Sequence, residues 1–249
     1  MALTIDTVLE DRDLTLRWLP GSARRMVVVF TGRGAGFGGA PLDEFAGSAA
    51  RRGENNVLFV TDRRGSWYSA PGLWSKAVRL IRYLRRSEGI EEVVSLGNSM
   101  GGYGALLLPQ EMRVRRAIAF SPQLTLDRDL TDDGRWPDVM KRYGWMPARN
   151  VGETFGATRT QYYLTAGKAC REDLDQLDFA PDLQRVHRWT LPAARHNVAG
   201  RLKDAGLLYD VIGAIIRGRK ARVETLYQRY AEAADAPRGP AIPVEGETR

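Results

Sequence analysis

Ser99 stands in Gly97-Asn98-Ser99-Met100-Gly101-Gly102-Tyr103-Gly104, a spacing in which a serine hydroxyl can be presented for nucleophilic attack. A serine hydroxyl is a poor nucleophile until a base takes its proton. The chain has two histidines to do so, His187 and His196. His187 falls inside Val186-His187-Arg188-Trp189-Thr190-Leu191, which reads as a strand, so it is expected to pack on one face of a sheet. His196 lies in Pro192-Ala193-Ala194-Arg195-His196-Asn197, a loop between that strand and a helical stretch, and such a loop can carry an imidazole to Ser99. A third group, an acid, would orient the imidazole and stabilise its protonated form. Glu172, Asp173, Asp175 and Asp178 are the candidates. Asp173 comes first, as the last acid before the apolar Leu174. Asp175 comes second, and Asp175 and Asp178 both suit a helix surface. Each acid also has a purely structural use, as a charge favoured at a helix start.

The elements around Ser99 decide whether that chemistry is available. Glu92-Val93-Val94-Ser95-Leu96 is apolar enough for a buried parallel strand. Ala105-Leu106-Leu107-Leu108 reads as helix, stopped by Pro109. Gly97-x-Ser99-x-Gly101 therefore sits where a strand turns sharply into a helix, a place where a Cβ at either glycine would collide with backbone. The Met100 amide opens that helix and is aimed to stabilise an oxyanion. A second amide is expected from Thr31-Gly32-Arg33, after the apolar run Met26–Phe30, with Arg33 N–H preferred and Gly32 beside it. The Arg33 side chain has two readings, binding an anionic substrate or simple solvation. The competing reading of the whole motif is a glycine-rich turn that packs closely or binds phosphate. A dinucleotide fingerprint fits poorly, because serine stands where its second glycine belongs.

The remaining elements follow in order. Leu3–Ile5 and Leu14–Leu19 alternate as an antiparallel hairpin around Glu10–Asp13. Met26–Phe30, Asn56–Thr61, Arg116–Phe120 and Gln161–Ala166 read as further strands. Helices are expected over about 42–51, 73–86, 174–183 and 198–217. Strand–helix units with crossovers imply a mostly parallel sheet covered on both faces, with ligands at the carboxyl ends of its strands. The polar stretch over about 123–158 is too long for a structureless loop, so one or two short helices are expected there as a lid. Trp67, Tyr68 and Phe37, with the aromatics between Trp136 and Trp145, line a pocket or pack that lid. The expected organisation is one α/β domain over 1–219, a basic helix over 220–234 and a disordered tail over 235–249.

The elbow Gly97–Ala105, the Phe30-Thr31-Gly32-Arg33-Gly34 loop and Arg195-His196-Asn197-Val198 together resemble the α/β-hydrolase superfamily. The resemblance spans about Val27 to Arg217 in element order. It implies a core sheet of about eight strands and hydrolysis through an acyl-enzyme. Here Thr31-Gly32 stands where common members have His-Gly, and the acid loop lacks their Asp-Pro pair. The expectation is a serine hydrolase of the carboxylesterase or thioesterase kind, with Ser99 as nucleophile, His196 as base and Asp173 as orienting acid. No cofactor or metal is called for. The rival readings are a non-catalytic binding or accessory protein on the same fold, and an acyltransferase using the same three residues.

Composition narrows the classes. The 249 residues carry a net charge of +7. The basic residues are scattered as pairs, without a nucleic-acid-binding motif, so a small-molecule ester or thioester is expected as partner and nucleic acid is not. The single cysteine, Cys170, excludes an intrachain disulfide. No run approaches the roughly 18 apolar residues of a membrane span. The first residues lack a basic segment followed by an apolar one, so the expected compartment is cytoplasmic.

Overall fold

The computed structural model describes residues 4–33 and 43–235. Eight strands form one sheet: β1 (Asp6–Glu10), β2 (Leu14–Leu19), β3 (Arg25–Phe30), β4 (Asn56–Asp62), β5 (Glu92–Asn98), β6 (Arg116–Phe120), β7 (Gln161–Gly167) and β8 (Val186–Leu191). Their order across the sheet is β1-β2-β4-β3-β5-β6-β7-β8. The β1–β2 and β2–β4 pairs are antiparallel and all others parallel. The hairpin lies at one edge, but its first strand runs over Asp6–Glu10, later than Leu3–Ile5. The turn explains the shift: Asp11 Oδ1 accepts from the amides of Asp13 and Leu14 at 2.9 Å each, closing the chain just after Glu10.

The apolar strands are buried on both faces, and their alternation divides the core. Met26, Val28 and Phe30 of β3 face one cluster, and Val27 and Val29 face the other. The first cluster packs against α2 (Leu73–Ser87), α3 (Met100–Leu107) and α5 (Arg171–Asp178). The second packs against α1 (Ala46–Ala50), α6 (Val198–Asp204), α7 (Leu208–Ile216) and α8 (Lys220–Asp235). The stretch after β6 holds α4 (Pro137–Tyr143) and a short 3₁₀ helix (Val151–Ala157), in place of a structureless loop. Tyr103 ties it down, donating to the Ala148 carbonyl at 3.0 Å and accepting from the Ala148 amide at 2.8 Å.

Three boundaries differ from expectation. The helix after Pro41 is only Ala46–Ala50 among the described residues. The helix near Leu174 starts earlier, at Arg171, and ends at Asp178. The expected helix over 198–217 is two helices, because Gly206 takes φ +68° and turns the chain between α6 and α7. Phe37 and residues 236–249 lie outside the described residues. No helix among the described residues is long and apolar enough to cross a membrane.

Candidate active site

Ser99 is the single residue between β5 and α3, with φ 54° and ψ −122°. That conformation costs a non-glycine residue about 1–3 kcal/mol and persists only where its surroundings enforce it. The enforcement is close packing. A Cβ on Gly97 would lie 2.1 Å from the Gly101 carbonyl oxygen, and one on Gly101 would lie 2.0 Å from the Phe30 carbonyl oxygen. The Ser99 amide donates to the Phe120 carbonyl at 2.9 Å, fixing the turn to the end of β6. The helix therefore begins at Met100, directly after the serine.

The loops after β7 and β8 deliver the partners. Their backbones are joined, with Lys168 N–H on the Leu191 carbonyl and Ala169 N–H on the Ala194 carbonyl, both at 2.9 Å. His196 Nε2 lies 3.0 Å from Ser99 Oγ, and His196 Nδ1 lies 2.9 and 2.8 Å from the two Asp173 oxygens. The hydrogen-bonding roles follow from the chemistry: the carboxylate accepts from Nδ1–H, leaving Nε2 to accept the serine proton. Asp173 is fully buried and stands in the first turn of α5, not in the loop before it. Burial works to raise its carboxyl, but the His196 and Arg135 hydrogen bonds and charges outweigh it and hold it below its ordinary value. Glu172, Asp175 and Asp178 are exposed on α5, turned away from this array. The His196 side chain keeps 34% of its surface exposed, so solvent reaches the array. His187 is elsewhere, on β8 beside Gln161.

The loop after β3 packs against the Ser99 turn, where an added Cβ on Gly32 would lie 3.3 Å from the Asn98 carbonyl oxygen. The amides of Met100 and Arg33 have no hydrogen-bond partner among the described residues. The Gly32 amide is already committed, donating to Glu44 Oε2 at 3.0 Å, which removes it from the expected oxyanion donors in this arrangement. Burial raises the Glu44 carboxyl, with the Gly32 amide opposing. The Arg33 side chain is exposed but paired: it makes a two-point contact with Asp138 of α4 at 3.2 and 2.5 Å. Trp67 and Tyr68, read as lining a pocket or packing the lid, are both completely buried. Asp62 is the reason. Its Oδ2 accepts from the amides of Ser66 and Tyr68 at 2.8 and 3.0 Å, coiling the loop inward. Trp67 then packs on Trp136 with centroids 5.3 Å apart, and Tyr68 packs edge-on against Phe30 at 5.6 Å.

Three residues here carried no readable signal in the sequence. Gln123 accepts from Ser99 Oγ at 3.2 Å. One hydroxyl hydrogen cannot serve both Gln123 and His196, so the Ser99 proton has two resting partners. Gln176 of α5 accepts from the amides of Leu124 and Thr125 at 2.7 and 3.1 Å, holding the chain that carries Gln123. Arg135 donates from Nη1 to Asp173 Oδ1 at 2.8 Å. Cys170, Asp173 and His196 are metal-ligand types clustered within 4.8 Å. Arg135 Nη1 sits 3.8, 2.8 and 3.2 Å from Cys170 Sγ, Asp173 Oδ1 and His196 Nδ1, so a guanidinium already fills the cation position among them.

A strand-end serine, histidine and carboxylate on a mostly parallel, doubly wound sheet define an α/β-hydrolase arrangement, and comparison with solved structures bears out the fold. An esterase of Pyrococcus furiosus matches with a TM-score of 0.53 and 17% identity, covering 92% of this chain and 93% of that one. Carboxyl esterase 2 of the mycorrhizal fungus Tuber melanosporum matches at 0.59 and 14%, covering 93% and 88%. The capsule O-acetyltransferase of Neisseria meningitidis serogroup A matches at 0.57 and 16%, covering 82% and 92%. No family model matches the sequence, and no curated protein does. At these identities the likeness is one of fold: the chain folds as an α/β-hydrolase.

Proposed function

We propose that the protein is a serine hydrolase that cleaves a carboxylic ester or thioester through an acyl-enzyme. The observation that carries this reading is the continuous line Ser99 Oγ–His196 Nε2–Asp173, at 3.0 and 2.8 Å, with the serine held in a strained turn. Ser99 Oγ attacks the carbonyl carbon as its proton passes to His196 Nε2. Asp173 keeps Nδ1 protonated and stabilises the imidazolium that forms. The Met100 and Arg33 amides hold the oxyanion. The carbon–heteroatom bond then breaks, and His196 returns the proton to the leaving alcohol or thiol. Water, deprotonated by His196, releases the acid and restores Ser99. The esterases that share the fold support this choice of substrate class. The O-acetyltransferase among the structural neighbours supports a second reading, in which an alcohol replaces that water.

The test is labelling with a fluorophosphonate, which requires an activated hydroxyl. Wild type is expected to label and to cleave p-nitrophenyl esters, with both activities lost in Ser99→Ala and His196→Ala. A folded wild type that does not label would overturn the reading. Product analysis with an added alcohol separates hydrolysis from transfer.

A further inference from the structure

One short stretch of the lid, from Asp133 to Asp138, grips the candidate site from two sides. Asp133 is nearly buried, at 6% exposure. It takes Arg135 in a two-point fork, Nε on Oδ1 at 2.8 Å and Nη2 on Oδ2 at 2.6 Å. Gln176 Nε2 holds the same carboxylate from α5 at 3.4 Å. A planar guanidinium fixed by two of its nitrogens has its third aimed in one direction. Here that nitrogen, Nη1, points at Asp173 Oδ1, 2.8 Å away. The other side of the site is reached three residues later. Arg33 lies over the rings of Trp136 and Trp67, 5.1 and 5.7 Å from their centroids, and Asp138 takes its guanidinium. The Arg33 backbone amide follows Gly32, where an added Cβ would lie 3.3 Å from the Asn98 carbonyl oxygen beside Ser99.

We propose that this strip is part of the working site, with Arg135 as a positioning residue that holds Asp173, and through it His196, while Asp138 holds Arg33 and its amide. The proposal rests on the serine hydrolase reading above. Its physical content is twofold. Arg135 pins Oδ1, so the carboxylate plane is set and cannot swing away from Nδ1. It also places a cation beside the imidazole, 3.2 Å from His196 Nδ1. The other groups close to the pair are Asp133, which holds Arg135, Cys170 just ahead of α5, and Ser99, while Glu172 is exposed on α5. The Cys170 thiol stays neutral, since burial pushes it up to about 11. Asp133 offsets part of the Arg135 charge. Without Arg135, Asp173 faces His196 with no cation on its Oδ1.

The variants are Arg135→Gln, Arg135→Lys and Asp138→Asn. With Arg135→Gln, kcat on a p-nitrophenyl ester is expected to fall about 10- to 100-fold with KM within about threefold. The acid limb of kcat/KM is expected to rise by about one pH unit. Arg135→Lys keeps the charge and loses the fork, so the limb should stay near wild type while kcat remains reduced. This also separates a positioning loss from a folding defect. Asp138→Asn is expected to lower kcat about 3- to 10-fold without moving the limb. NMR titration of His196 in a His187→Gln background gives a readout independent of turnover, because only one imidazole remains. Its midpoint should rise in Arg135→Gln. A folded Arg135→Gln protein with wild-type kcat and an unmoved His196 midpoint would overturn the proposal, as would a change confined to KM. An unchanged kcat in Asp138→Asn would remove the Arg33 half. If wild type neither labels nor turns over, the hydrolase reading fails, while the His196 midpoint still reports whether Arg135 acts on the array.

Discussion

Replacing Asp173 by Asn keeps the side-chain shape and removes the charge. In the native array both carboxylate oxygens lie on His196 Nδ1, at 2.9 and 2.8 Å, and Oδ1 also accepts from Arg135. An amide offers one accepting oxygen and one donating nitrogen. Arg135 has no lone pair, so it draws the Asn oxygen, and the amide nitrogen is left facing Nδ1. That arrangement favours the tautomer with Nδ1 bare and the hydrogen on Nε2, where it can no longer accept the Ser99 proton. The loss of the correct tautomer, together with loss of the negative charge beside the imidazolium, amounts to about 10³–10⁴ in kcat, or about 4–5.5 kcal/mol in the barrier. KM should stay within about threefold, because Asp173 is fully buried beneath the histidine. Arg135 keeps its fork on Asp133, so the cation is not stranded, and the stability loss at neutral pH should be about 1–3 kcal/mol. That loss is pH-dependent. The Asp173 carboxyl is held below its ordinary value of 3.8. Its contribution is complete above that value and drains away as pH falls through the lower native one. The melting-temperature gap between wild type and Asp173→Asn should therefore close in acid. The assays are steady-state kinetics on p-nitrophenyl esters and thermal unfolding from neutral pH downward. A folded Asp173→Asn protein within tenfold of wild-type kcat would refute the assigned role and point to another acid.

Glu44→Gln isolates the buried carboxyl under the Arg33 loop. Burial raises its native value above the unfolded one, so the charged form penalises the fold at neutral pH and the protonated form does not. The amide can still accept from Gly32 N–H, so the variant should melt higher than wild type at pH 7 and lose that advantage in acid; a lower melting temperature at pH 7 would contradict this. Gly206→Ala tests the break between α6 and α7. An added Cβ meets nothing within 4 Å, so the cost is that of φ +68° alone, about 1–2 kcal/mol by urea titration, with ester turnover unchanged.

The sequence exposed the parts of this protein that depend on local pattern. The apolar runs at Met26–Phe30 and Arg116–Phe120 became β3 and β6 because a strand buried on both faces has to be continuously apolar. Gly97 and Gly101 marked the turn at Ser99 because backbone there leaves no room for a Cβ. The order serine, acid, histidine was legible because each sits just beyond a recognisable strand. What it could not show was which groups meet once the strand ends converge. Arg135 and Asp173 are 38 residues apart, and Gln123 and Ser99 are 24 apart. No periodicity links such pairs, since their contact is set by the order β5-β6-β7-β8 across the sheet. The same limit left the placement of Trp67 and Tyr68 open between a pocket and the lid. Two aromatics in a loop look available for a ligand, and only the inward coil imposed by Asp62 turns both rings into the core. Local sequence therefore determined the elements and the residue types at their ends. Tertiary structure decided the hydrogen-bond partners, because those depend on three-dimensional distances between strand ends that are remote along the chain.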